Sequence, residues 1–202
     1  MNNGIVFRLV ICVFLSNSFG LSAISLISNG GFESGDKSNW ALDFDNTNPG
    51  KWIVTTFLPQ SGSYSLFADN WPKYISQTFS TNVSKTELID FKFWTLTSSS
   101  TSDTPILNVR LNFVDGTSQS ILNKNILLNT WQQQDILPYI QSANITKLVS
   151  GFSALVYGAS NPYAIDSYYD SFNITASVPE PSALSLLAIG LGGLAMMRRR
   201  RS

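Results

Sequence analysis

Hydrophobic and polar residues alternate along several short stretches of this chain. The clearest stretch places Leu107, Val109, Leu111 and Phe113 between Asn108, Arg110 and Asn112. A period of two residues is typical of a β-strand with one buried face. Asp115 and Gly116 follow directly and predict a tight hairpin turn, so we expect the chain to return through residues 117–122.

Further short strands are predicted on both sides of this hairpin. Ile89, Phe91 and Phe93 alternate with Asp90 and Lys92 in the same way. The other strand candidates are residues 51–56, 63–68, 74–79, 131–136, 146–157 and 168–174. Residues 98–104 are predicted to form a polar loop, and the body shows no helical period. Many short strands separated by Asn, Ser, Thr and Gly predict an all-β fold, a two-sheet β-sandwich.

The first 23 residues are predicted to be a secretory signal peptide. Arg8 provides the positive charge, residues 9–15 begin an apolar segment, and small residues follow at Ser22 and Ala23. Cleavage is expected near Ser22 or Ala23, and a retained N-terminal anchor is the alternative. We assign residues 24–177 to the β-sandwich domain.

The C-terminal segment, residues 178–202, has three parts in a fixed order. Pro179-Glu180-Pro181 should be extended, because proline restricts its own backbone and that of the residue before it. The uncharged residues 182–197 would span about 24 Å as a helix, slightly short of the apolar thickness of about 30 Å of a bilayer; the arginine side chains can make up part of the difference. Four arginines follow in the basic tail 198–202 and favour the cytoplasmic side. This order predicts a transmembrane helix; a buried helix with a solvated basic end is the alternative.

This arrangement resembles the PEP-CTERM sorting signal of exported bacterial proteins. The resemblance implies that an exosortase, a membrane transpeptidase, processes the tail near Pro179, Glu180 and Pro181. The membrane stop would be formed by Arg198, Arg199, Arg200 and Arg201. It also implies export across the inner membrane, a transient membrane anchor, and a final location at the cell surface or outside the cell.

The charges of the body argue against a nucleic-acid partner. Residues 24–177 contain seven lysines and one arginine against ten aspartates and two glutamates, a net charge of −4. No basic patch accompanies this mildly acidic balance.

Few catalytic groups are present. The chain has no histidine, and its only cysteine, Cys12, lies in the signal peptide. A Ser-His-Asp or Cys-His triad therefore cannot form. Two carboxylates could hydrolyse glycosides in principle, so a carboxylate-based glycoside hydrolase is a minor alternative to a body that is not an enzyme.

Several segments of the body resemble carbohydrate-binding modules and galactose-binding-like jelly rolls. These segments are residues 29–33 (Asn-Gly-Gly-Phe-Glu) with Trp40, 62–66, 75–79, 130–132 and 169–172. The resemblance implies a jelly-roll β-sandwich. It also implies a structural calcium ion shared by Glu33 and Asp170, although Ser171 stands where these families often have Asp or Asn. The alternative is two surface carboxylates with ordinary roles.

A sugar contact is predicted in the loop that precedes residue 75. Trp71 and Tyr74 could cover the flat face of a sugar ring, while Asp69 and Asn70 pair with its hydroxyl groups. The alternative for Trp71 is packing on the sandwich, as we expect for Trp40, Trp52 and Trp131. Together the patterns predict an exported, non-catalytic protein associated with extracellular polysaccharide. A purely structural or adhesive matrix protein is the main alternative.

Overall fold

The alternating segments form strands in two antiparallel sheets. The structure, a computed structural model, describes residues 21–42, 52–69, 74–99, 103–162 and 164–179. Within these residues lie eleven strands and one short helix. They are β1 Leu21–Ser25, β2 Ala41–Leu42, β3 Trp52–Thr55, β4 Ser65–Ala68, β5 Ile75–Val83, β6 Leu88–Ser99, β7 Pro105–Phe113, β8 Ser118–Asn125, β9 Gln132–Asp135, α1 Leu137–Ser142, β10 Val149–Gly158 and β11 Ile165–Pro179.

The strands divide between two layers. The six-stranded sheet has the order β3-β4-β11-β6-β9, with β1 also paired to β11, and the five-stranded sheet has the order β2-β5-β10-β7-β8. Residues Ala23–Val178 form one compact unit. The predicted two-sheet β-sandwich is confirmed.

Aromatic rings fill the space between the sheets. Phe152 of β10 lies 5.1 Å from the ring of Phe91 on β6 and 5.6 Å from that of Phe172 on β11. Phe172 in turn stacks on Phe93 at 4.7 Å, and Trp40 meets Phe152 edge to face. Burial of such large apolar side chains is the main stabilising contribution in a sandwich of this kind.

The hairpin predicted from residues 107–122 is present. Leu107, Val109 and Leu111 are fully buried. The Phe113 amide donates to the Thr117 carbonyl at 2.9 Å, which closes the turn that contains Gly116. Gly116 has a φ of +80°, a backbone conformation that glycine adopts without a steric penalty.

The expected alternation at Ile89 is wrong. Ile89 is 45% exposed, whereas Leu88 is buried together with Phe91. Asp90 pairs with Thr175 but Leu88 pairs with the next residue, Ala176, so β6 has one extra residue at this point. Such a bulge turns the extra side chain out of the regular alternation.

The body also contains a short helix, although the sequence shows no helical pattern of hydrophobic residues there. Helix α1 has six residues, begins beside Pro138 and buries only Ile140. A helix of less than two turns cannot show a sequence period, and proline is common in the first turn. The predicted polar loop at 98–104 is partly wrong, because Ser98 and Ser99 belong to β6.

Candidate functional site

The outward face of the five-stranded sheet carries polar side chains, tyrosines and the single arginine of the body. On β7, Asn108 and Arg110 are half-buried and alternate with the buried apolar residues, so they point away from the core. On the neighbouring β10, Leu155 and Tyr157 are likewise half-buried. This face is therefore open to solvent and chemically mixed.

A row of small residues crosses this face at Arg110. Ser153 of β10 pairs with Ser76 of β5 on one side and with Arg110 of β7 on the other, and Arg110 pairs with Ser120 of β8. Cross-strand partners lie side by side on one face of a sheet. The serines therefore form a low floor, from which the much longer Arg110 side chain projects.

The next position along β10 is kept small for a steric reason. Gly151 pairs with Thr78 on β5 and with Asn112 on β7. A Cβ atom on Gly151 would lie 2.5 Å from the backbone oxygen of Gln77, closer than packing allows. Glycine thus lets the two strands approach, and the floor stays low at this position.

A cavity of about 290 Å³ opens over the Arg110 end of this floor. It is lined by Tyr74, Asn108, Arg110, Ser120, Leu155, Tyr157 and Pro162. The Arg110 guanidinium carbon lies 5.8 Å from the centre of the Tyr74 ring, which is within cation–π distance. This contact places the ring and the positive charge together at the cavity wall.

Hydrogen bonds hold the polar side chains of this wall. The Asn108 side-chain amide donates to the Ser120 hydroxyl at 3.0 Å and to the Leu122 carbonyl at 3.3 Å. The Tyr157 hydroxyl lies 3.4 Å from the Asn123 side-chain oxygen. Within the described part of the chain, the Arg110 guanidinium has neither an ion pair nor a hydrogen bond. None of its five N–H donors is therefore occupied by a described residue.

A second cavity has a volume of about 460 Å³ and is lined in part by residues of β5 and β7. It is lined by Leu26, Ile27, Ser28, Asn39, Ala41, Ser76, Gln77, Thr78, Ser80 and Asn112. Strand β7 contributes to both cavities, because Asn112 stands two positions along it from Arg110. Ser76 of the second cavity stands two positions from Tyr74, which directly precedes β5. We term the two cavities and the serine row between them the Arg110 groove.

The structure brings one of the four predicted sugar contacts to this groove. Tyr74 lines it, while Asp69 follows the end of β4. Asn70 and Trp71 lie outside the described residues. Sequence reasoning missed Arg110 as a site residue, although it is the only arginine of the body and stands between two asparagines in an alternating strand.

Glu33 binds a loop of the same sandwich. Its carboxylate accepts hydrogen bonds from the Ser63 amide at 3.0 and 3.1 Å and from the Tyr64 amide at 3.1 Å. Gly62 has a φ of +63°, and a Cβ atom there would collide with the Glu33 carboxylate. The residue before these amides is therefore required to be glycine.

Asp170 holds the start of the same loop. It is completely buried, and its carboxylate accepts hydrogen bonds from the amides of Gln60 at 2.9 Å and Ser61 at 3.1 Å. Its other oxygen accepts from the Ser171 amide at 2.5 Å. Burial raises the pKa of Asp170, while the hydrogen bonds from Ser61, Gln60 and Ser171 act in the opposite direction.

The two carboxylates of the predicted calcium site, Glu33 and Asp170, thus both accept backbone amides of the same loop. Carboxylate oxygens are the ligands that calcium takes, but those of Asp170 already accept three backbone amides. A calcium ion would compete with these hydrogen bonds for the same carboxylate. The described residues contain no group of three acidic, histidine or cysteine side chains that could hold a metal. Calcium at Glu33 and Asp170 stays a prediction.

Most of the predicted sorting residues lie outside the described residues. Pro179 is the last residue of β11. Glu180, Pro181 and the arginines Arg198, Arg199, Arg200 and Arg201 are not among the described residues, and neither is the predicted helix 182–197. In the portion that is described, no helix has the length and apolar character needed to cross a membrane.

Comparison with known families identifies the C-terminal segment. Residues 177–201 match the family described as the PEP-CTERM protein-sorting motif. The chain carries a PEP-CTERM sorting motif. This confirms the resemblance seen in the ordered Pro-Glu-Pro, apolar and arginine parts. The match concerns the C-terminal segment alone and leaves the function of the body open, and no curated protein matches the chain.

Solved structures similar to this chain include carbohydrate-binding modules. The CBM22-1-CBM22-2 tandem domain of Paenibacillus barcinonensis Xyn10C has a TM-score of 0.51 at 16% identity, over 80% of this chain and 47% of that one. A non-crystalline cellulose specific module, CBM28, has a TM-score of 0.50 at 12% identity, over 75% and 95%.

Part of an enzyme chain has a similar fold as well. The enzymatically active domain of bacteriophage CBA120 tailspike protein 4 has a TM-score of 0.53 at 15% identity. The similarity covers 77% of this chain but only 22% of the tailspike chain. At such low identity these similarities show the fold alone, and they confirm the predicted resemblance to carbohydrate-binding-module sandwiches.

Proposed function

We propose that this chain is an exported, non-catalytic protein that binds polysaccharide in the Arg110 groove. The observation that carries the proposal is the Tyr74 ring beside Arg110, at the edge of a polar floor on an open sheet face. Sugar rings present flat apolar faces that aromatic side chains cover, while hydroxyl groups pair with fixed amides and hydroxyls. Asn108 and Ser120 supply such fixed partners.

The order of the strands is that of a jelly roll, a fold found in polysaccharide-binding proteins. The layer β4-β11-β6-β9 faces the layer β5-β10-β7-β8, and the chain changes layer at most connections, as in an eight-stranded jelly roll. One similar structure is described as a non-crystalline cellulose specific carbohydrate-binding module. We propose that this chain likewise binds a polysaccharide, and that the Arg110 groove is the surface it uses.

The same proposal includes sorting by an exosortase. The PEP-CTERM motif at 177–201 supports processing near Glu180, with residues 182–197 as a transient transmembrane helix and 198–202 as its cytoplasmic tail. The product would then lie at the cell surface or in the extracellular matrix, where polysaccharide is within reach of the groove.

A binding role fits the groove better than hydrolysis. The described residues that line its two cavities include no aspartate or glutamate, whereas a glycoside hydrolase needs a pair of carboxylates beside the bond it cleaves. Incubation of the protein with the polysaccharides that it retains, followed by analysis for shorter products, tests this point. Released oligosaccharides would overturn the non-catalytic role.

Affinity electrophoresis of the full chain in gels that contain single soluble polysaccharides tests the binding role. We expect retention by at least one polymer and a loss of affinity of about three- to tenfold in Tyr74→Ala, the range that one aromatic contact supports. Tyr139→Ala is the matched control, since Tyr139 is 40% exposed on α1, away from the groove. Equal retention of Tyr74→Ala and wild type would contradict the proposal, and no retention by any polymer would favour a purely structural or adhesive role.

Trp71 stays a predicted sugar contact and lies outside the described residues. Trp71→Ala should lower retention with little change in stability if the ring meets the ligand. A loss of about 3–5 kcal/mol of stability would instead assign it to packing on the sandwich.

A further inference from the structure

We infer that the Arg110 groove selects an acidic polysaccharide, and that Arg110 binds the carboxylate of a uronic acid residue in it. The inference rests on the proposed polysaccharide-binding function and names the class of sugar that the groove takes. It follows from the charge, the free donors and the neighbours of a single side chain.

The charge of Arg110 is not balanced by the residues described around it. Both cavities of the groove are lined by neutral side chains apart from Arg110 itself. The body as a whole has an excess of acidic residues, yet its only arginine stands at this cavity. A half-buried cation keeps its counter-charge close, because partial removal from water strengthens the attraction. An anionic ligand would supply the counter-charge that the described lining lacks.

The donors of Arg110 suit a carboxylate in particular. The guanidinium carbon lies 5.8 Å from the centre of the Tyr74 ring, and no described residue accepts a hydrogen bond from the guanidinium N–H groups. Two of these groups lie in one plane at the spacing of the two carboxylate oxygens, so a pair of parallel hydrogen bonds can form. A neutral sugar would leave the positive charge without a partner.

The neighbours of Arg110 suit the remainder of the sugar ring. Ser153 and Ser120 flank it along the cross-strand row, and Asn108 stands two positions away on β7. Their short neutral side chains can reach hydroxyl groups next to a carboxylate bound at Arg110. The row continues through Ser153 to Ser76, which lines the second cavity, so further residues of the same polymer would find polar partners along it.

A comparison of polygalacturonate with fully methyl-esterified pectin isolates the effect of the carboxylate on binding. The two polymers have the same sugar backbone, but the carboxylates are esterified and uncharged in the second. With the full chain in chelator-containing buffer, we expect at least tenfold tighter retention by polygalacturonate, as a charged hydrogen bond supports. The preference should weaken as NaCl rises from about 20 to 500 mM, because salt screens a partly exposed charge. Arg110→Gln should abolish the preference, Arg110→Lys should keep part of it, and Lys124→Gln, a cation of β8 outside the groove, should leave it unchanged.

The outcomes separate the two proposals. No retention by any polysaccharide would overturn the binding function itself. Equal, salt-independent retention by the two pectins would overturn the acidic preference while the binding function stands. Tighter retention by dextran sulfate than by polygalacturonate would replace the carboxylate with a sulfate ester. If Arg110→Gln melts far below the wild type, the acidic preference is decided by the wild-type protein alone. The deciding measurements are then its retention by the two pectins and the dependence of that retention on NaCl.

Discussion

Gly62 lies directly against the carboxylate of Glu33, and a Cβ atom on Gly62 would collide with it. The amides of the next two residues, Ser63 and Tyr64, donate to that same carboxylate. Asp170, near the other end of the body, accepts the two amides at the start of the loop. Two acids that are far apart in the chain thus hold residues 60–64.

Gly62→Ala should lower the free energy of unfolding by about 2–4 kcal/mol. A left-handed backbone costs a residue with a Cβ atom about 1–2 kcal/mol, and the displaced Glu33 carboxylate would leave amide hydrogen bonds unmade. Urea unfolding followed by tryptophan fluorescence measures the change.

Gly116→Ala is the control for the backbone effect. Gly116 also has a left-handed backbone, at a φ of +80°, but no atom of the described chain lies within 4 Å of the position that a Cβ atom would take there. Gly116→Ala should therefore lower the free energy of unfolding by only about 1–2 kcal/mol. An equal loss in the two variants would mean that the Glu33 contact contributes nothing to stability.

The predicted calcium ion at Glu33 and Asp170 can be tested by chelation. An ion that binds only the folded state adds about 2.7 kcal/mol at a hundredfold excess over its Kd. Chelator should therefore lower the melting temperature, and calcium should restore it. Magnesium should not, because it demands a tighter octahedral site.

An unchanged melting curve on chelation of the calcium-loaded protein would rule out a stabilising ion. The loop would then be held without a metal ion, by its amide hydrogen bonds to the two carboxylates and by the side-chain hydrogen bonds of Gln60 and Ser61 to Ser171.

The ion pair between Asp115 and Lys147 predicts a local pH dependence. The two side chains meet at 2.7 Å beside the β7–β8 turn. Hydrogen bonds from Lys147 and then from Thr117 lower the pKa of Asp115 from 3.8 to about 2. Because the folded-state pKa is the lower one, the stabilising contribution is present above pH 3.8 and is lost as the pH falls through about 2.

Lys147→Met should raise the pKa of Asp115 toward its ordinary value, as an NMR titration of the carboxyl carbon would show. Lys92→Met, which removes a partner of Asp90 instead, should leave the Asp115 titration in place. A pKa that stays near 2 without Lys147 would contradict the assigned cause.

Glu180→Ala should block processing of the tail, because we expect the sorting transpeptidase to recognise that acid within the motif at 177–201. Deletion of residues 198–201 should weaken membrane retention, since the cytoplasmic charges are lost. Mass spectrometry of the exported product reports both effects, with Ser202→Ala as the control. A fully exported wild-type product that still ends in Ser202 would contradict processing.

Local patterns predicted the strands well, because burial on one face leaves a period of two. The hairpin at Gly116 and the buried side chains of β7 followed directly. The prediction that Ile89 would be buried was wrong, because it lies in a one-residue bulge opposite Thr175 and Ala176 of the partner strand. The sequence of β6 alone does not indicate such a bulge. Helix α1 was too short to leave a pattern.

The candidate site was harder to predict, because it depends on register. Arg110, Ser153 and Ser76 become neighbours only when β7, β10 and β5 pair, and no local signal sets those partners. The sequence did indicate Tyr74 by its place in a loop with Trp71. The hydrogen bonds of Glu33 and Asp170 to backbone amides could not be predicted either, because every residue except proline has the same amide group.

Strand β11 has a mechanical consequence. It runs from Ile165 to Pro179 in the interior of its sheet and includes the first residues of the sorting motif. Its hydrogen bonds to β6, from Ile165 opposite Ser99 to Ala176 opposite Leu88, lie across the strand direction. Tension applied to the C-terminal end would therefore pull along β11 and load these bonds in shear, all together. The sandwich can accordingly resist a pull at this end more strongly than one that opens a sheet bond by bond.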